Sequence, residues 1–358
     1  MATRSHEDPA DRRRVTLVQV AERAGVSRSA ASFVLSGRTD QRISAETFAR
    51  VRQAAAELGY TPNITARTLR TGRSGAVALV SDFVSSTSFA NGMIRGALQL
   101  LGERDMLLFT VETQGDSRME LALVQNLLDR QVDGVIYASM FTRAVTVPAL
   151  LRAVPLVLLN CVSEGGDPVV SVVPDEQAAG LSAIRVLLEA GHRDGIHFVG
   201  DFPPGTTGGA SWRGWHPLAL PQRLAGVRAG LAAVGAELAG VSHIVDWDVA
   251  SGHRAVAELL RGRPAPTAIV CINDAVGAGA YRAVREAGLD VPQDVSIVAF
   301  DGSTLAGALD PPLASVALPQ EELGRTAARL LLDGAAGAPE VHRVPMPLLG
   351  SASVAPPR

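Results

Sequence analysis

Several polar side chains stand where short apolar runs end. Asp301 closes the run VSIVAF, Asn273 and Asp274 follow TAIVCI, Asp175 follows VVSVVP, and Arg223 opens the segment QRLAGVRAGL. Carboxylates, a carboxamide and a guanidinium supply paired hydrogen-bond donors and acceptors. Gathered in a concave site with one flat ring, such as Trp247 of DWDVASG, they form a set suited to the hydroxyls and apolar face of a sugar. A purely structural reading stays open for each, because strand ends also need caps. Asp274, directly before the helical pattern AVGAGAYRAVREAG, is expected to cap it. Asp175 and Asp301 would suit a glycosidase pair if a fold held them at a set distance, but nothing in the spacing does so. The loop FPPGTTGGASWRGWHP lacks GK[ST] and is no phosphate loop. With Trp212, Trp215 and His216 it is either a lid over the site or an ornament. No catalytic residue, metal site or cofactor is expected.

These residues need elements to bring them together. From Gly75 onward, apolar runs of strand length alternate with amphipathic segments. The runs are 76–81, 106–111, 133–138, 156–160, 195–200, 267–272 and 295–300. Alternation of this kind means βαβ units with buried parallel strands. The length fits two such sheets, hence a bilobed body, with ligands at the carboxyl ends of the strands and so in the cleft.

The first seventy residues follow a different plan. Thr16 with Gln19 makes a T-x-x-Q capping box. It starts a helix with Val20, Ala21 and Ala24 on its apolar side, and Gly25 supplies a tight turn. Ser27 caps a second helix that buries Ala31, Val34 and Leu35. Ser44 caps a third, with Phe48, Val51, Ala55 and Leu58 inward and Gly59 as its stop. Helix, glycine turn, helix is either a plain αα-hairpin or a unit that places its second helix in the DNA major groove. Charge favours DNA. Residues 1–74 hold 13 Arg against 7 acidic residues, a net +6, whereas the remainder holds 20 against 29, a net −9. All 33 basic residues are Arg.

The motifs VTLVQVAERAGVS, ISAETFARVRQAAAELGYTPN and ARTL, in this order and spacing, resemble the headpiece and hinge of the lactose-repressor (LacI) family of bacterial transcription regulators. RQVDGVIY, QRLAGVRAGL, PTAIVCINDAVGAGAYRAVREAGLDVPQDVSIVAFD and LDPPLASV are close to the regulatory core of that family. The resemblance implies an all-α helix-turn-helix headpiece joined to a bilobed α/β core similar to periplasmic binding proteins, with two parallel-sheet subdomains. The implied divisions are a disordered tail (1–14), the DNA-binding domain (15–61), a hinge (62–74) and the core (75–358). Lobe 1 takes about 75–175 and 314–335, and lobe 2 about 176–311 and 338–350. Chain crossings are expected near Pro174–Glu176, near Pro311–Ser315 and in the C-terminal segment, where VHRVPMPLLG adds an edge strand to the second lobe.

Carried onto this chain, the likeness puts Arg28 and Ser29 at base-reading positions and Phe33 where many relatives have Arg. Thr16, Ser27, Ser32 and Asn63 become phosphate contacts or caps. Leu69 matches a leucine that wedges between central base pairs once the hinge becomes a helix, with Ala66 and Arg67 beside it. The resemblance supports Asp175, Arg223, Trp247, Asn273 and Asp301 as effector contacts, and Phe89 as an aromatic at the cleft. Asn160 stands where Asp is frequent. The implied partners are palindromic operator DNA, a small-molecule effector that is a carbohydrate or else a purine or phosphorylated metabolite, and a second copy of the chain.

Composition narrows the classes further. Cys161 and Cys271 are far apart without CxxC spacing, which suits reduced core thiols in the cytoplasm. The opening MATRSHEDPADRRR has no apolar core and is no signal peptide, and no apolar run is long enough to span a bilayer. A secreted solute-binding protein would need the first and would lack the headpiece.

Overall fold

A computed structural model of the chain describes residues 15–35, 43–61, 68, 72–87, 90–165, 169–206, 208–209, 214–262, 264–334 and 340–358. The segment expected to be a tail, 1–14, lies outside them. The chain divides into two units, 1–74 and 75–358.

In the first unit, local signals account for the starts of all three described helices and for the ends of the first and third. Both halves of the capping box form: Gln19 N donates to Thr16 Oγ1 at 3.4 Å and Thr16 N to Gln19 Oε1 at 2.8 Å. Helix α1 (Leu17–Ala24) stops at Gly25, which takes the left-handed conformation. Ser27 Oγ accepts from Ala30 N at 3.2 Å and starts α2 (Arg28–Leu35). Ser44 caps α3 (Ala45–Leu58), which ends at a left-handed Gly59. The three helices bury Val20, Ala24, Ala31, Val34, Val51 and Ala55, with Phe48, Leu35 and Leu58 packed at the margin. An Arg23–Glu57 ion pair at 2.8 Å ties α1 to α3 from outside.

Among the described residues, the second unit contains two six-stranded sheets. The first has strands β1 (Ala76–Ser81), β2 (Leu107–Glu112), β3 (Gly134–Val145), β4 (Leu156–Ser163), β5 (Ser171–Pro174) and β11 (Val341–Val344), in the order β11-β5-β4-β3-β1-β2. The second has β6 (Ile196–Asp201), β7 (Gly240–His243), β8 (Ala268–Cys271), β9 (Ser296–Asp301), β10 (Ala314–Ala317) and β12 (Leu348–Leu349), in the order β12-β10-β9-β8-β6-β7. Every pairing is parallel except β10 with β12. Helices pack on the sheets, and central strands such as β1 and β8 are buried along their whole length.

Two expected boundaries move. Strand β10 belongs to the second sheet, beside β9, so the middle crossing falls at Leu318–Pro319 and not at Pro311–Ser315. VHRV pairs with β5 in the first sheet, and only Leu348–Leu349 reaches the second. Proline explains the positions. The three crossings carry Pro174, Pro319, and Pro345 with Pro347, and a residue with no N–H cannot extend a ladder.

Helix pairing in this unit depends on glycine where backbones nearly touch. Helices α6 (Glu176–Glu189) and α7 (Ala219–Ala232) meet at Gly180 and Gly226. A Cβ on Gly180 would lie 2.1 Å from Arg223 O, and one on Gly226 2.1 Å from Gln177 O. This approach delivers the Arg223 side chain to the start of α6.

Candidate functional site

A cavity of about 410 Å³ lies between the two lobes of the second unit. Its second-lobe wall centres on Arg223, a fully buried side chain. Nε donates to Glu176 Oε2 at 2.7 Å, Nη1 to the Ile272 carbonyl at 2.7 Å, and Nη2 to Glu176 Oε1 and Asp301 Oδ1, both at 3.3 Å. The guanidinium also lies over the Phe300 ring, 4.7 Å from its centre. Burial alone would lower the Arg223 pKa, but Glu176 and Asp301 outweigh it and raise it. Burial pushes the Asp301 carboxyl up to about 7, with Asp274 and Glu176 adding to the rise and Arg223 opposing it. Asp301 holds φ at 102°, a strained value for a residue with a Cβ, worth roughly 1–3 kcal/mol. Its carboxyl stands in the cavity wall.

Trp247 completes this side. Its indole stacks on Phe202, with centroids 5.4 Å apart and planes 13° apart, and its Nε1 donates to Gly200 O at 2.9 Å. Asn273 anchors the same loop: Nδ2 donates to Trp247 O at 3.1 Å, and Oδ1 caps helix α9 (Asp274–Glu286) at Val276 N, 2.8 Å away. Both polar ends of Asn273 are thus engaged in holding the wall.

The first-lobe wall is aromatic. Strand β3 runs past Ala138, where the expected strand ended, and its register shifts between Ala138 and Arg143. The continuation supplies Met140, Phe141 and Thr142, with Phe83 beside them. Asp82 organises it, accepting from Phe83 N at 2.7 Å, Met140 N at 2.9 Å, Ser139 Oγ at 2.9 Å and Arg143 Nη2 at 3.1 Å. Asn160, also left-handed with φ 57°, accepts from Thr142 Oγ1 at 2.7 Å.

Four sequence-predicted effector residues therefore reach the cavity: Arg223, Trp247, Asn273 and Asp301. Asp175 does not line it. Its carboxylate accepts from Ala178 N at 3.2 Å as the N-cap of α6, and its neighbour Glu176 points inward instead. Asp274 is not the cap expected of it. Asn273 takes that role, while Asp274 binds Ser303 N and Ser315 Oγ, each at 2.6 Å, and so ties β9 to β10. Phe89 and Trp212 lie outside the described residues, as do the hinge positions Asn63, Ala66, Arg67 and Leu69. Glu176, Asp82 and Arg143 were not foreseen. An acid in the first turn of a helix ordinarily reads as a partner of the helix dipole, and Asp82 meets Arg143 only through the fold.

On the first unit, Arg28 and Ser29 are exposed at the start of α2, whose first turn has no acidic residue. Ser32 and Phe33 are half-buried, and Thr16 and Ser27 are exposed caps. Buried Cys161 and Cys271 are free thiols, and burial pushes Cys161 up to about 12. Among the described residues, no helix is long and apolar enough to cross a membrane.

Among the described residues, three packed helices with a glycine-turned pair in the first unit, and two open, mainly parallel sheets closing on a cavity in the second, define a two-lobed ligand-binding regulator. Residues 16–63 match the bacterial regulatory proteins of the lacI family, and residues 184–350 match the periplasmic binding protein-like domain. The HTH-type transcriptional regulator CelR of Thermobifida fusca is 35% identical over 342 residues, 91% of this chain and 93% of that protein. The sucrose operon repressor of Escherichia coli is 31% identical over 345 residues, 93% and 98% of the two chains. The CelR–cellobiose complex superposes with a TM-score of 0.63 at 30% identity, over 95% of this chain and 100% of that one. The Lac repressor dimer bound to operator and an anti-inducer gives 0.75 at 23% identity, over 96% and 100%, a likeness of fold. The chain belongs to the lacI family of DNA-binding transcription regulators.

Proposed function

We propose that this regulator is a cytoplasmic, homodimeric repressor whose hold on a palindromic operator is controlled by a carbohydrate bound between the lobes, without turnover. The observation that carries the effector reading is the buried Arg223–Glu176–Asp301 set beside the Trp247 indole. Charged groups fixed at depth bond hydroxyls in pairs, while an indole takes the apolar face of the ring. The relatives named for sucrose operon repression and the cellobiose complex of CelR support the same ligand class.

Arg28 and Ser29 are the proposed base readers, with Thr16, Ser27 and Ser32 toward phosphates and Phe33 at a thymine methyl. Asn63, Ala66, Arg67 and the Leu69 wedge are assigned to the hinge on their sequence match alone. The dimer reading is supported by exposed apolar side chains on the first lobe. They are Leu107 and Phe109 on the edge strand β2, Leu98 on α4 (Asn91–Gly102), and Met119 and Leu121 on α5 (Ser117–Asp129).

The test is a thermal-shift screen of mono- and disaccharides, followed by operator binding with and without each hit. A sugar that raises the melting point and changes operator affinity supports the proposal. A screen in which only nucleobases or phosphorylated metabolites act would overturn the carbohydrate assignment. For the headpiece, Arg28→Ala should relax base preference at one symmetric pair of operator positions, at about 1–3 kcal/mol per contact. Uniform weakening without loss of preference would make Arg28 a phosphate contact.

A further inference from the structure

The cavity has more room and more aromatic surface than one sugar ring uses. Its volume is about 410 Å³. A hexopyranose at the packing density of an organic solid fills on the order of 200 Å³. The charged groups and Trp247 belong to the second-lobe side and suffice for one ring. A second indole stands against the first lobe. Trp215 lies between Phe83 and Phe141, with ring centroids 6.1 and 6.0 Å away, and all three side chains line the cavity.

Trp215 is built in and is no loose flap. The Arg143 guanidinium covers its ring, 4.2 Å from the centroid, and Arg143 is itself held by Asp82 at 3.1 Å and by Ser139 at 2.9 Å. The segment after it is clasped to β3 across the lobes: Leu218 N donates to Thr142 O at 2.7 Å, and Pro217 bridges Arg143. At Gly115 a Cβ would come within 3.0 Å of the indole edge, so even the backbone there is shaped to the ring. An indole fixed this way has lost its rotamer freedom before any ligand arrives, so stacking costs little further ordering. Thr142 and Asn160 add polar atoms to the cavity lining.

We propose that Trp215, flanked by Phe83 and Phe141, is the platform of a second saccharide subsite and that the effector is a disaccharide. One pyranose lies at Arg223, Asp301 and Trp247, and the other stacks on Trp215. The proposal rests on the carbohydrate reading above and adds ring count and placement to it.

The experiment is calorimetric titration of the full-length protein with glucose, galactose, fructose, cellobiose, maltose, lactose and sucrose, repeated on Trp215→Ala and Trp215→Phe. At least one disaccharide should bind the parent about 100-fold more tightly than either component monosaccharide. Trp215→Ala should weaken that disaccharide about tenfold or more and leave the monosaccharides within about twofold. Trp215→Phe should recover most of the loss, which shows that the ring and not the fold was tested. Equal affinity of the parent for a monosaccharide, or equal weakening of both sugar classes by Trp215→Ala, overturns the second subsite and leaves the carbohydrate reading standing. If no saccharide binds the parent, both readings fall.

Discussion

The two walls of the cleft each hold a guanidinium, buried at Arg223 and half-buried at Arg143, by opposite means. In the second lobe, Arg223 is almost the whole support of its acids: Glu176 leans on it through both oxygens, and Thr142 Oγ1, 3.5 Å away, adds little. In the first lobe, Arg143 is one of four donors to Asp82, and two of the others are backbone amides. The second-lobe network is centralised and depends on helices brought close at glycine. The first-lobe network is distributed along one turn of chain. A centralised network fixes a ligand wall firmly, and it fails as a unit when its centre is removed.

The largest test of this contrast is Arg223→Ala. Removing one member of a buried ion pair strands the other and costs roughly 3–5 kcal/mol. Here two carboxylates are stranded, Glu176 and Asp301. Chemical denaturation should show a loss in that range, together with loss of effector binding. A variant that loses the effector at unchanged stability would mean the acids are supported from elsewhere. Next comes Gly180→Ala, at a residue that does not itself line the cavity. Its new methyl meets Arg223 O at 2.1 Å, so α7 must move. Overpacking of this kind costs roughly 1–3 kcal/mol. Effector affinity should fall with stability because Arg223 travels with its helix. Unchanged affinity would show that the Arg223 side chain is held independently of its backbone.

Much of this was legible in the sequence where the cause is local. The Thr16–Gln19 box, the glycine stops at Gly25 and Gly59 and the strand end at Asp301 each depend on residues close by in the chain. Local reasoning failed where two elements share one residue. Asp175 is the acid expected at the cleft, yet it caps the helix, and its neighbour Glu176 turns toward Arg223. Asp82 and Arg143 are 61 residues apart and meet only because β1 and β3 are neighbours. The chain beyond Ala138 has no clean alternation, so the extension of β3 that carries the aromatic wall was not expected. The middle crossing was misplaced because β10 is only four residues long and could pair in either lobe. Pro319, two residues past its end, keeps the ladder from running on.

Arg143→Ala should cost less than Arg223→Ala. Asp82 keeps Phe83 N, Met140 N and Ser139 Oγ, so the loss is nearer that of one charged hydrogen bond, roughly 1.5–3 kcal/mol. The same denaturation experiment run on both variants compares the walls directly. Equal losses would erase the distinction between a centralised and a distributed network.

The smallest effect is a pH dependence belonging to one wall only. Burial pushes Asp301 up to about 7, with Asp274 and Glu176 raising it and Arg223 opposing. A sugar hydroxyl donating to this carboxyl favours its ionised form, so its pKa falls in the complex and binding releases a proton. Affinity should therefore rise as pH climbs through 7 and level off above it, by up to about tenfold between pH 6 and 8. For stability the sign is reversed. Between the ordinary carboxyl range and about 7, the native state keeps a proton that the unfolded chain has released, so stability falls as pH rises through that window. Calorimetry of effector binding at several pH values, in buffers of different ionisation heat, measures the proton directly. Asp301→Asn keeps the shape and removes the titration, so its affinity should be flat over the same range. A slope that persists in Asp301→Asn would move the titrating group off this wall. No slope in the parent would mean that Arg223 holds Asp301 ionised throughout, with no proton left for the ligand to displace.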